Sequence, residues 1–396
     1  MSSLDDFARG KLEDLDQRSL RRRLVTTERT TDGRAFRASP QGGRRQLVSF
    51  CCNDYLNLSQ HADVKKAAIA AVSRFGAGAG ASRHVTGNHP LYEELETRLA
   101  RFKETEAAVV FGSGYLVNLG VVPTLAGHRD LLLVDELAHA CLHGGAQLAG
   151  GEMVVYRHND MNHVREVLEE RRARHRHALI LTDGVFSMDG DLAPLQALTA
   201  LAEQYDAWLM TDDAHGFGIM GDGRGSTMAA ARRSEGPVHV PLQMGTLSKA
   251  VGSYGGYLCA SRSVVDFVKT RARTLIYTTG LPPSALAASL AALDIIERDG
   301  AWRDKPLAHA RLFAELVSLP APESPIVPVI LGHTERALDA STLLEERGFL
   351  VTAIRPPSVP EGTARLRFTF TSAHGESDIR RLAHIVRSEI LPKAAA

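Results

Sequence analysis

The chain has 396 residues, 44% of them apolar, and its 46 Lys plus Arg match its 46 Asp plus Glu. That is ample material for a large core and about two or three domains, and the balanced charge gives no reason to expect nucleic acid or an anionic membrane as partner. Its four cysteines, Cys51, Cys52, Cys141 and Cys259, form neither a disulfide framework nor a CxxC zinc spacing, and the acidic start MSSLDDFARGKLEDL lacks the basic-then-apolar order of a signal peptide, so a cytoplasmic location is expected.

Residues 2 to about 24 carry helical periodicity and many charges, and the stretch TTERTTDGRAFRASPQGGRR after them reads as loop or hairpin. Together they predict a short N-terminal segment over 1–48. From about 50 to 260, apolar runs alternate with helical patterns: AAVVF, DLLLV, EMVVY, HALILT, AWLMTD and VHVPLQM. That rhythm predicts a large α/β domain over 49–290 with a mainly parallel sheet and helices on both faces. The weakly charged stretch Ala107 to Gly127 contains Gly112, Gly114, Gly120 and Pro123, so it reads as strand, turn and helix rather than a membrane span. FGAGAGAS (Phe75 to Ser82) follows a helical pattern, so it lacks the strand a dinucleotide loop requires and reads as a flexible substrate-side loop. A helix is predicted over about 282–298. Beyond it SPIVPVIL and the alternating ARLRFTFT give a smaller α+β domain over 291–396.

In an open α/β sheet ligands collect at the carboxyl ends of the strands. HALILT runs into DGVFSMDGD, AWLMT into DDAHGFG, VPLQM into GTLSKAVGSYGG, and AAVVF into GSGY. Lys249 is framed by small residues. A lysine of ordinary pKa, about 10.4, is a free amine only about one time in two thousand at neutral pH, so a nucleophilic one must be desolvated or covalently captured. Read alone, Lys249 is equally an ordinary loop lysine. Asp212, one strand earlier, suits a carboxylate that keeps a pyridine nitrogen protonated, although DDAH alone fits a metal half-site or a helix cap as well. GSGY at a helix start offers N–H groups and the positive dipole end to a phosphate, or is a plain turn. In conjunction, phosphate seat, acid–histidine turn and Gly-flanked lysine on successive βα units describe a pyridoxal 5′-phosphate (PLP) site.

At these positions the chain resembles the α-oxoamine synthases, PLP enzymes of the aspartate-aminotransferase-like fold. The resemblance is carried by TLSKAVG followed by Gly255 and Gly256, and by SFCCNDYLNLSQH, GAGASRHVTGNHPLYEELE, DELAHACLHGG, TDGVFSMDGDLAPL, TDDAHGFGIMGDGRG, IYTTGLPPS and AIRPPSVPEGTARLRF, nearly the whole chain. It implies a mainly parallel seven-stranded sheet and a homodimer with its active site at the subunit interface. It also implies a decarboxylative condensation of an amino acid with an acyl thioester. Ala353 to Phe368 is most similar to the member that joins L-alanine to a pimeloyl thioester, on coenzyme A or a carrier protein, in biotin biosynthesis. The rivals are members acting as glycine acetyltransferase, 5-aminolevulinate synthase or sphingoid-type palmitoyltransferase. By the same resemblance Lys249 holds the cofactor and shuttles protons, Asp212 pairs with the ring nitrogen, His215 and Ser187 bond the phenolic side, and His139 stacks on the ring. Gly114, Tyr115 and Thr246 hold the phosphate, with Thr278 and Thr279 reaching it from a second subunit. Arg355 grips the amino-acid carboxylate, its rivals being Arg365 and Arg367 on the polar face of the following strand, while Asn53, Arg21 and Ser358 are the acyl-substrate and carboxylate contacts. His139 read alone is a core histidine, and Arg21, in the run LRRR, part of a solvated face. A metal-dependent hydrolase using His139, Asp212, Asp213 and His215 is the alternative from another class.

Overall fold

A strand covered on both faces buries every side chain, and that is why the apolar runs are continuous rather than alternating. In the computed structural model, which describes residues 2–38 and 42–391, the chain divides into two compact units. One is Asn53–Pro306; the other joins Met1–Cys52 to Leu307–Ala396.

The first unit is built on a seven-stranded sheet with the order Ala107–Phe111, Gly256–Ala260, Leu242–Thr246, Trp208–Asp212, Ala178–Asp183, Leu131–Asp135 and Glu152–Tyr156. Every pairing is parallel except those of Gly256–Ala260, which runs against both neighbours. Alternate residues of the same strands feed two cores: Leu132, Val134, Leu179 and Leu181 pack with Val117, Val121 and Leu142, while Leu131, Leu133, Ala178 and Ile180 pack with Val164, Leu168 and Leu198. The register sets Asp183 beside Asp212 and Asp212 beside Met244, so the first two of these strands end level and the third, Leu242–Thr246, runs two residues further. The apolar stretch from Ala107 is strand followed by the helix Gly114–Leu125, and no described helix is long and apolar enough to cross a membrane.

In the second unit, Thr27–Arg29, Arg34–Ala38 and Arg44–Ser49 form antiparallel pairs, and Phe349–Leu350 joins the last of them in parallel. The expected separate N-terminal segment therefore shares a sheet with the C-terminal residues, and Val48 and Phe50 pack in one core with Phe349, Phe368 and Phe370. Residues 39–41, within the polar stretch read as loop or hairpin, lie outside the described residues. The helix Pro283–Arg298 belongs whole to the first unit, so the division falls later than 290. A three-stranded sheet has Ala364–Thr369 between Ile326–Gly332 and Thr352–Ile354. All six residues of that middle strand are buried, Arg365 and Arg367 included. The period-two alternation predicted a solvent-facing polar side; flanking strands and covering layers leave none.

Candidate active site

Lys249 lies just past the strand Leu242–Thr246, in a turn closed by Gly252 at φ 70° and Gly255 at φ 125°, left-handed values that favour glycine. The turn delivers its Nζ to 2.9 Å from His215 Nε2. His215 follows the next strand over, Trp208–Asp212, and is 5% exposed; its Nδ1 stands 2.6 Å from the hydroxyl of the fully buried Tyr55. Tyr55 in turn donates to Asn53 Oδ1 at 3.4 Å. Of the residues expected from the sequence, Lys249, His215 and Asn53 are thus strung on one polar chain through Tyr55, a link not anticipated.

Asp212 ends its strand 5% exposed. Its Oδ1 accepts from Ala214 N at 3.0 Å and its Oδ2 from Asn118 Nδ2 at 2.7 Å, and among the described residues it forms no ion pair. The adjacent Asp213 is the reverse: its carboxylate is 3.0 Å from Lys103 Nζ and accepts from Ser226 N. Asp183, fully buried one strand away, accepts from His139 N at 3.1 Å. Burial and the charge of Asp212 push the Asp183 carboxyl well above the usual carboxylate range. His139 caps the helix Ala140–Ala149, its Nδ1 accepting from Cys141 N and lying 2.7 Å from Cys141 Sγ. Burial, opposed by Asp212 and assisted by Lys249, holds its imidazole below the ordinary value, so His139 presents a neutral ring.

Gly114 and Tyr115 are the first two residues of the helix Gly114–Leu125, capped by Ser113 Oγ. The strands close tightly on that terminus, since a Cβ on Gly256 would sit 2.5 Å from Gly114 N. Thr246 Oγ1 donates to Gly255 O at 2.9 Å and lies 2.8 Å from Ser248 Oγ, a second hydroxyl the motif contained without marking. Ser187 is buried in the loop after Asp183, Thr278 Oγ1 donates to Thr274 O, and Thr279 bridges Ser82. Among the described residues no group of three His, Cys, Asp or Glu is arranged to hold a metal, and Asp213, one ligand of the hydrolase alternative, is taken by Lys103.

The second unit holds the remaining expected residues. Arg355 Nη2 donates to Arg21 O at 3.1 Å, while Ser358 Oγ accepts from Arg22 Nη2 at 2.8 Å. The Arg21 guanidinium itself is 2.5 Å from Asp16. Arg21, Pro356, Pro357 and Val359 line a cavity of about 1080 Å³ with Leu12, Leu15 and Leu20. The run of arginines could be read from the sequence; which one turns to Ser358 could not.

The family model for aminotransferase class I and II matches residues 45–386. An 8-amino-7-oxononanoate synthase from Methylocella silvestris is 63% identical over 347 residues, covering 88% of this chain and 97% of that protein. One from Beijerinckia indica is 56% identical over 395 residues and covers 100% of both. Among solved structures, a serine palmitoyltransferase from S. paucimobilis with a bound PLP–myriocin aldimine matches with a TM-score of 0.88 at 26% identity, over 100% of both chains. The chain belongs to the α-oxoamine synthases, PLP-dependent enzymes of the aminotransferase class I and II fold. It is a PLP-dependent acyltransferase.

The residues present fit that cofactor. A buried carboxylate without a protein cation, Asp212, suits a protonated pyridine ring. The Lys249 amine, 2.9 Å from His215 Nε2, suits an aldehyde, and the helix terminus at Gly114 suits a phosphate.

Proposed function

We propose that the chain condenses L-alanine with a pimeloyl thioester to 8-amino-7-oxononanoate, carbon dioxide and the free thiol carrier, a step of biotin biosynthesis. The substrate pair rests on the relatives' description at 56–63% identity. The chemistry rests on one observation, a lysine amine 2.9 Å from a buried histidine in a site where the buried Asp212 carboxylate forms no ion pair among the described residues. When bound, PLP supplies an electron sink for a carbanion at the amino-acid α carbon.

The protein's own groups do the rest. Asp212 would hold the ring nitrogen, His215 and Ser187 the phenolic oxygen side, and His139 would offer its neutral imidazole to the ring. Gly114, Tyr115 and Thr246 would seat the phosphate, which Thr278 and Thr279 of a second subunit would reach in a homodimer. Arg355 grips the alanine carboxylate with its planar fork; Arg21, Asn53 and Ser358 contact the acyl substrate. Lys249 Nζ accepts the α-proton of alanine. The α carbon then bonds to the thioester carbonyl carbon, the C–S bond breaks and the thiolate leaves, taking its proton from solvent. The carboxylate departs as carbon dioxide, and Lys249 returns a proton to that carbon. The four free thiols accord with a cytoplasmic setting.

The test is thiol release from purified holoenzyme across alanine, glycine and serine crossed with pimeloyl-, acetyl-, succinyl- and palmitoyl-CoA. The highest kcat/KM is expected for alanine with pimeloyl-CoA. Preference for glycine with acetyl- or succinyl-CoA overturns the substrate pair and leaves the cofactor chemistry standing.

A further inference from the structure

Asn118 is a carboxamide in the middle of an otherwise apolar helix, Gly114–Leu125, and it is 0% exposed. A primary amide so placed is costly unless its hydrogens are used. Both are: Nδ2 donates to Asp212 Oδ2 at 2.7 Å and to Cys141 Sγ at 2.9 Å. Its Oδ1, by contrast, has no hydrogen-bond partner. The amide is therefore oriented by what its nitrogen serves. Turned over, it would set Oδ1 against Asp212 Oδ2, two acceptors with no proton between them.

The consequence for Asp212 is geometric. Ala214 N holds Oδ1 and Asn118 holds Oδ2, so both oxygens are pinned and the carboxylate plane cannot turn about its Cβ–Cγ bond. The second hydrogen of Asn118 leads elsewhere. Cys141 Sγ, which accepts it, lies 2.7 Å from His139 Nδ1. Burial, reinforced by the negative charge of Asp212, pushes the Cys141 thiol up, so it keeps its proton, and the sulfur lies between two groups, donating to Asp212 Oδ2 at 3.8 Å and touching His139 Nδ1.

We propose that Asn118 is a positioning residue serving two groups at once: it fixes the Asp212 carboxylate directly and the His139 imidazole through the Cys141 sulfur. One buried amide then ties the residue at the end of the cofactor ring to the residue on its face. The inference rests on the assignment of Asp212 to the ring nitrogen made above.

Asn118→Leu keeps the volume and removes both donors; Asn118→Asp keeps the shape and sets a second acid beside Asp212. The readouts are the PLP dissociation constant, from titration of apoprotein, and the visible spectrum of the bound cofactor against pH, with thermal unfolding of the apoprotein as control. Removal of a hydrogen bond to a charged group is expected to weaken PLP binding about tenfold in Asn118→Leu and further in Asn118→Asp, with the spectral pH midpoint displaced in both. Cys141→Ser, which retains a donor and acceptor at the sulfur's place, is expected to restore wild-type behaviour relative to Cys141→Ala. Wild-type affinity and an undisplaced midpoint in both Asn118 variants overturn the proposal. So does a fall in apoprotein stability with the spectrum of the folded fraction unaltered, which is what a space-filling role would give. Asp212→Asn run in parallel separates the two levels: if its spectrum is unchanged the assignment of Asp212 fails, whereas an altered Asp212→Asn beside unaltered Asn118 variants removes Asn118 alone.

Discussion

Lys103 and Asp213 form an ion pair 3.0 Å long with side chains 1% and 0% exposed, next door to an aspartate that has no such partner. Two consecutive carboxylates, Asp212 and Asp213, thereby have opposite settings, one neutralised inside the protein and one hydrogen-bonded without an ion pair among the described residues. Breaking a buried pair from one side leaves an uncompensated charge and costs about 3 to 5 kcal/mol. Lys103→Met is therefore expected to lose roughly that much unfolding free energy by urea titration. Lys103→Met combined with Asp213→Asn should recover part of it, and strictly additive losses would contradict the pairing.

Much of this arrangement is legible in the amino-acid sequence. AAVVF, HALILT, AWLMTD and VHVPLQM mark strands because two-sided burial leaves no polar alternation, and Asp212 at the end of the third, His215 just after it and Lys249 beyond the fourth stand where strand ends open. GYLCA escaped as a strand because it begins on the glycines of the lysine loop and runs antiparallel. Lys103 and Tyr55 gave no signal, since their partners lie far off in sequence and no spacing encodes them. Asn118 did give one: a lone amide in GYLVNLGVVPTL is out of place on an apolar helix, but nothing in the sequence names Asp212 as its partner.

Lys249 is expected to be indispensable to proton movement at the α carbon. General-base catalysis contributes about 10² to 10⁴ in rate, so Lys249→Ala should lower kcat for thiol release by at least that span. Its measurement is single-turnover thiol release with pimeloyl-CoA and alanine. Retention of more than a few per cent of activity would assign the proton to another group.

His158 bridges Asp135 Oδ1 at 2.9 Å and Asp191 Oδ2 at 2.7 Å, joining the loops after three strand ends, one of which carries Ser187. Burial disfavours its charge, but the two carboxylates outweigh that and raise the imidazolium to about 10. Folded His158 holds its proton where an unfolded histidine, near 6.5, has lost it. Its contribution is full below about pH 6.5 and declines as pH rises through about 10. Unfolding free energy measured from pH 6 to 10 should fall, and fall less steeply in His158→Gln; equal slopes would deny the linkage.

His374 behaves oppositely. It accepts from Thr371 N at 3.1 Å, lies 2.9 Å from Ser49 O, and stacks on Phe50 with ring centroids 4.0 Å apart. Burial depresses its pKa to about 4, so the folded state requires a neutral ring and the unfolded state takes a proton below about 6.5. Its stabilisation is full above that pH and is lost as pH falls toward about 4. Urea midpoints at pH 4 to 7 should decline on the acid side, and His374→Gln, less stable at pH 7, should show a flatter decline.

Arg355 carries the assignment most open to a direct contest. Its backbone leaves the strand Thr352–Ile354 for Pro356, its guanidinium is half-buried, and one nitrogen donates to Arg21 O. Arg365 and Arg367, expected on an outward face, are buried instead, with Arg365 Nε donating to Thr363 O. A buried arginine is normally committed to partners, which favours the less buried Arg355 for a carboxylate that must come and go. Losing a charge-assisted contact of about 1.5 to 3 kcal/mol corresponds to roughly a ten- to hundredfold change in affinity. Arg355→Ala should therefore raise KM for L-alanine by that factor with a smaller effect on KM for pimeloyl-CoA, and Arg355→Lys, which keeps charge but not the planar fork, should fall between. If Arg355→Lys leaves alanine KM unchanged while Arg367→Lys raises it at unaltered melting temperature, the carboxylate contact belongs to Arg367, and burial there reflects a site built for a charged ligand.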